Sequence, residues 1–210
     1  MNFELQDKLR ELTKRQGLGE AIKFAESELK KIPTTGFHQI IGRNILHLSD
    51  DLKPYIQSFH ELTTVVLNKP KGFIGLLFGK PKNLFPAAYY CEMNGFTINY
   101  DRWFIDLFSF KEMRDDNWGW LCDFYDSTSD DFTITGLEGI QAVFKDVHEN
   151  ERFEEPNIGK AYNVCELLVI LRLHELLQST YSKITEPLSG IPMFVSAHDY
   201  ELIYQVNLDK

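Results

Sequence analysis

No apolar run in this 210-residue sequence reaches the roughly 18 residues that a membrane-crossing helix needs. The first residues also lack the basic-then-apolar pattern of a secretory leader. Positive charge is scarce, since 22 Lys and Arg stand against 31 Asp and Glu, for a formal net charge of -9. That deficit argues against nucleic-acid binding by phosphate neutralisation and against docking on an anionic membrane. Cysteine is sparse too. Cys91, Cys122 and Cys165 are odd in number and lie in apolar surroundings, which predicts buried free thiols in a reducing compartment. The expectation is a soluble, cytoplasmic protein whose partner is basic.

Patterns that carry chemistry are missing as well. His38, His47, His60, His148, His174 and His198 never pair at i+3 or i+4, and neither CxxC nor HExxH occurs, so no metal site is expected. The acidic turn from Asp126 to Asp131 fails as a calcium loop, because the required glycine would be Asp131 and the closing glutamate would be Leu137. Ser58, Ser109 and Ser196 lack a GxSxG elbow, and Gly72, Gly75 and Gly79 fit no phosphate cradle. Carboxylate pairs for acid–base work can be drawn from Asp106, Asp115, Asp116, Asp123, Asp126 and Glu138, as from any acidic chain. No enzyme, cofactor or catalytic residue is expected; a hydrolase built on those carboxylates is the alternative.

What is present is a clear order of elements. Leu5, Leu9 and Leu12 share one helical face up to Gly17, and Ala21, Ile22, Ala25, Leu29 and Ile32 share another up to Pro33. Phe37 to Leu48 is ambiguous. A third helix is expected from about Asp51, where Pro54 falls in the first turn, with a stripe of Leu52, Tyr55, Ile56, Phe59, Leu62, Val65 and Val66. Residues 68–86 read as a loop in which Phe73 to Phe78 packs on the body or meets a partner. Strand patterns follow at Ala88 to Met93, Phe96 to Ile98 and Trp103 to Phe110. Trp120 to Tyr125 and Phe132 to Thr135 read as two short strands joined by the polar turn 126–131. Thr135 and Glu138 are spaced as a capping box for a helix carrying Leu137, Ile140, Val143, Phe144 and Val147. After a charged break, Asn157 to Ile184 is apolar nearly all round in its middle and predicts the most buried helix. Met193 to Val195 and Glu201 to Val206 close the chain as a strand pair. One α+β domain over residues 1–210 is expected, with a helical part at 1–70, a mostly antiparallel sheet at 85–135, helices at 136–184 and closing strands at 190–208. The long C-terminal helix packs on the sheet.

Charge is distributed unevenly along this order. Residues 101–155 hold 15 acids against 5 bases, while residues 1–83 hold 9 against 13. Such asymmetry makes either a directed field that steers a cationic partner or a solvated face kept for solubility. The acids are interleaved with rings, the residue types that dominate binding hot spots. In a strand starting at Trp120, alternation sends Trp120, Cys122 and Phe124 inward and leaves Asp123 and Tyr125 outward. The candidate partner-binding residues are therefore Asp115, Asp116, Trp118, Asp123, Tyr125, Asp126, Asp130 and Asp131.

The successive stretches Glu92 to Asn99, Asp101 to Asp106, Trp118 to Asp123 and Phe132 to Phe144, with an echo in Phe37-His38, resemble bacterial immunity proteins. Those proteins are the partners of polymorphic or type VI secreted toxins. The resemblance spans roughly residues 85–175 and implies a chain that binds a cognate toxin in the cytoplasm and blocks it. Many such toxins are basic and act on nucleic acid, so an acidic rim would mimic the phosphate chain and speed association. The resemblance carries no catalytic motif. A non-catalytic scaffold or adaptor is the third reading.

Overall fold

The computed structural model describes residues 2–69, 84–96, 101–114 and 118–207. Helix α1 (Phe3–Gln16) starts where the Asn2 side chain accepts the Leu5 N–H at 3.0 Å. It ends at Gly17, whose φ of +90° suits a residue without Cβ. Helix α2 (Leu18–Lys30) packs on α1 and buries Leu18, Ala21, Ile22, Ala25 and Leu29. The ambiguous stretch after it forms two 3-10 turns, Gly36–Ile40 and Leu46–Leu48.

Helix α3 (Ser49–Asn68) begins two residues earlier than expected, so Pro54 lies in its second turn. Its apolar stripe is also cut short. Leu52, Ile56 and Phe59 are buried, but Leu62, Val65 and Val66 are exposed while His60 and Thr63 continue the inner face. Asn68 and Leu84 clip the two ends of the following segment together, amide to backbone in both directions at 2.9 and 3.0 Å. The expected packing of Phe73 to Phe78 lies outside the described residues.

Among the described residues six strands make one mixed sheet. Strand β1 (Ala88–Asn94) pairs antiparallel with β2 (Phe104–Phe110) on one side and parallel with β5 (Met193–Ala197) on the other. Strand β6 (Tyr204–Gln205) closes that edge antiparallel to β5. On the far edge, β3 (Asp126–Ser127) and β4 (Phe132–Thr133) both run antiparallel to β2, so together they form one interrupted edge strand. The expected strand Phe132 to Thr135 is thus present as β4, while its expected partner Trp120 to Tyr125 is not a strand and β3 falls inside the expected turn 126–131. Of the expected strand Phe96 to Ile98, only Phe96 is described, buried against Trp103, Phe144 and Tyr200.

Two further expectations are corrected here. Trp118–Cys122 is a 3-10 turn and not the start of a strand, because Trp120 folds onto Phe110 and Phe194 with ring centres 4.7 and 5.6 Å away. Cys122 and Phe124 are consequently exposed, while Cys91 and Cys165 are buried. Helix α4 (Glu138–Glu149) has no box with Thr135; Glu138 instead accepts the Gly136 N–H at 2.8 Å. Its apolar face is as expected, with Leu137, Ile140, Phe144 and Val147 buried.

Helix α5 (Pro156–Tyr181) is buried almost continuously from Ala161 to Tyr181. It packs against α2, α3 and β5, so one sheet face, with Tyr89, Cys91, Met93, Ile105, Leu107 and Val195, shares its core. Arg172 enters that core in paired form, reaching Glu26 of α2 at 2.7 Å and Glu175 at 2.9 Å. The chain is an α+β protein with its helices on one face of the sheet. No helix among the described residues is long and apolar enough to cross a membrane.

Candidate partner-binding face

The sheet face turned away from α5 is where the acids and rings meet. Alternation along β1 and β2 sends Ala88, Tyr90, Phe108 and Phe110 to that side, and the pairing register sets Tyr90 beside both Phe108 and Phe194. These residues form a second small cluster, over which the 118–122 turn lays Trp120 and Trp118. The cover is incomplete. Trp118 is 45% exposed against Phe194, and Phe124 is 49% exposed against Phe108.

Farther along the same strands the face becomes acidic. Glu92 lies opposite Asp106, which receives the Asn94 amide at 2.8 Å. Burial raises the Asp106 pKa; the Asn94 bond opposes that rise, and the charges of Asp131 and Glu92 add to it. Glu92 also meets His198 Nδ1 at 3.0 Å. Burial disfavours the His198 charge, yet the Glu92 bond and the charges of Glu92 and Asp199 outweigh it and raise the imidazole pKa.

The expected partner-binding residues fall into two groups along the β2 edge. Asp123 and Tyr125 border one end; Asp130 and Asp131 sit at the other, beside Phe104 and Ile105, while Trp118 lies apart from both, on Phe194 of β5. Four residues of β2 separate the ends, a distance of roughly 13 Å. Asp126 lies opposite Ser109 and so takes the helix-facing side of its strand. Asp115 and Asp116 lie outside the described residues. Two of the acids are met by the chain's own arginines: Arg102 holds Asp131 through both guanidinium nitrogens, and Arg114 lies 3.3 Å from Asp123.

A groove of about 370 Å³ opens at the first end, lined by Lys111, Glu112, Arg114, Trp120, Asp123, Phe124 and Tyr125. A second hollow of about 450 Å³ lies between α1, α2 and the start of α5, where Glu4, Lys8, Glu28, Lys31 and Lys160 mix their charges. Neither is lined by Glu92, Asp106 or His198, so the acids with shifted pKa do not converge in either hollow. Among the described residues no group of three His, Cys, Asp or Glu is placed to hold a metal.

Sequence reasoning missed Glu92, His198, Lys111 and Arg114 as members of this region. Period-two alternation could have set Glu92 on the side of Tyr90, but His198 arrives only through the parallel β1–β5 pairing. Comparison with known proteins finds no matching family model, no similar curated protein and no similar solved structure.

Proposed function

We propose that the chain is an immunity protein: it binds a cognate secreted antibacterial toxin, of the polymorphic or type VI class, in the cytoplasm and neutralises it. The observation that carries this reading is a sheet with helices on one face and, on the other, exposed rings flanked by carboxylates. Trp118 and Phe124 offer apolar anchors; Asp123 stands beside Phe124, and Glu92 and Asp130 add negative charge farther along the sheet. Such a surface fits a cationic protein whose own target is a polyanion. Exchange of Arg114 or Arg102 for a partner's cation costs little, since exposed ion pairs contribute only about 0–1 kcal/mol.

The test is co-expression with the product of the adjacent gene. The chain is expected to protect cells and to co-elute with that product on gel filtration. Asp123→Lys and Asp130→Lys, at the two exposed ends of the edge, are expected to weaken the complex at least tenfold. Asp126→Lys, on the other side of its strand, should weaken it less. Absence of protection and of a complex would remove the reading.

A scaffold reading is favoured by one specific observation, the exposed apolar patch at Leu62, Val65, Val66, Leu84 and Phe85 around the Asn68 clip. Sedimentation of a monomer at high concentration would dismiss it.

A further inference from the structure

The groove beside Tyr125 already holds cations, and they are the protein's own. Lys111 Nζ sits 3.5 Å from the centre of the Tyr125 ring, within cation–π distance. Arg114 lies on the Asp123 carboxylate at the other station. Both cations are exposed and borne on the stretch that leaves β2, so neither is locked in place by burial. Between and around them the walls are Phe124 and Tyr125, the rim acids are Glu112 and Asp123, and Trp120 lines the groove at 3% exposure. The Trp120 indole N–H is buried and has no hydrogen-bond partner among the described residues.

We propose that this groove is a receptor for an arginine side chain of a basic partner protein, with Lys111 and Arg114 occupying its two stations until the partner displaces them. The inference rests on the partner-binding reading above and deepens it by naming the chemistry recognised. A guanidinium fits both stations better than an ammonium does. Its plane stacks on Phe124 or Tyr125, and its fork of donors matches Asp123 or Glu112 in a bidentate pair.

Displacement makes a prediction that simple attraction does not. Removing the resident cations empties the stations, so binding tightens by more than the change in net charge accounts for. The probe is an acetylated, amidated hexa-arginine peptide, with hexalysine for comparison, titrated by calorimetry at physiological salt. The double variant Lys111→Ala with Arg114→Ala is expected to bind hexa-arginine at least threefold more tightly than the control Lys14→Ala with Lys30→Ala, which alters net charge equally on α1 and α2. Asp123→Asn and Tyr125→Leu are expected to weaken hexa-arginine at least threefold and hexalysine less, with far-UV circular dichroism checking that each variant is folded. Equal affinity of the two double variants, or equal binding of the two peptides by the wild type, would overturn the proposal. If Asp123→Lys abolishes protection from the toxin while the two double variants behave alike, the groove is wrong and the immunity reading stands. If the groove selects arginine but the chain protects against nothing, the immunity reading fails and the groove stands.

Discussion

Near the middle of α5, Glu166 is 2% exposed and receives the Tyr200 hydroxyl at 2.8 Å. Burial pushes its pKa up to about 7, against the opposing effect of the Tyr200 bond. The folded chain therefore keeps a proton on Glu166 between the ordinary value of 4.5 and about 7, where the unfolded chain has released it. Stability is lost as pH rises through that window, by roughly 3 kcal/mol at most. His174 acts in the opposite sense: burial drives its pKa down to about 3, so its contribution is present above 6.5 and is lost as pH falls. Glu166→Gln removes only the first effect. Calorimetric melting should show the Tm change from pH 5 to pH 8 to be more favourable in the variant than in the wild type. Equal changes in the two proteins would mean that Glu166 is not the proton held.

At the scale of elements, the interrupted edge strand is held by a residue from another layer. The ladder to β2 breaks between Thr128 and Phe132, and there the Tyr55 hydroxyl of α3 lies 2.8 Å from the Asp130 carbonyl and 3.2 Å from that of Ile105. One hydroxyl proton serves two acceptors that the strand leaves open. Tyr55→Phe keeps the ring on Phe132 but withdraws the donor, at a cost of about 1 kcal/mol. Hydrogen exchange should then quicken at Thr128 and Ile134, whose amides bond to Leu107 and Trp103 across the break. Unchanged exchange at both amides would show that the strand closes without the hydroxyl.

For the molecule as a whole, the relevant feature is the separation of charge from core. The outer face and edge of the sheet carry Asp106, Asp123, Asp130 and Asp131 from the acid-rich stretch 101–155, and α4 carries Glu138, Asp146 and Glu149 of that stretch on the helix side, while α1 and α2 balance six acids with six bases. A field arranged that way steers a basic partner and is screened by salt, with a Debye length of about 8 Å at physiological strength. Stopped-flow association with the proposed toxin partner should slow about tenfold or more from 20 to 300 mM sodium chloride, while dissociation changes less. Salt-independent association would show that charge does not guide the encounter.

Local spacing alone determined the helices α1, α2, α4 and α5 and the strands β1 and β2, because a period of 3.6 or 2 is dictated by the backbone of each element. The acid surplus of residues 101–155 was equally visible. What periodicity reports is that a side chain has a buried side; it does not report against what. Trp120 and Phe124 share one apolar pattern, yet Trp120 is buried on Phe110 and Phe194 and Phe124 is half-exposed, because the 3-10 turn sets the first over two strands while the second meets Phe108 near the sheet edge. Leu62, Val65 and Val66 continue a stripe that runs past what the other described residues cover. The meeting of Glu92 with His198, 106 residues apart, and of Lys111 with the Tyr125 ring depended on strand register and chain crossover. Those are set by contacts distant in sequence, and only the tertiary structure decided them.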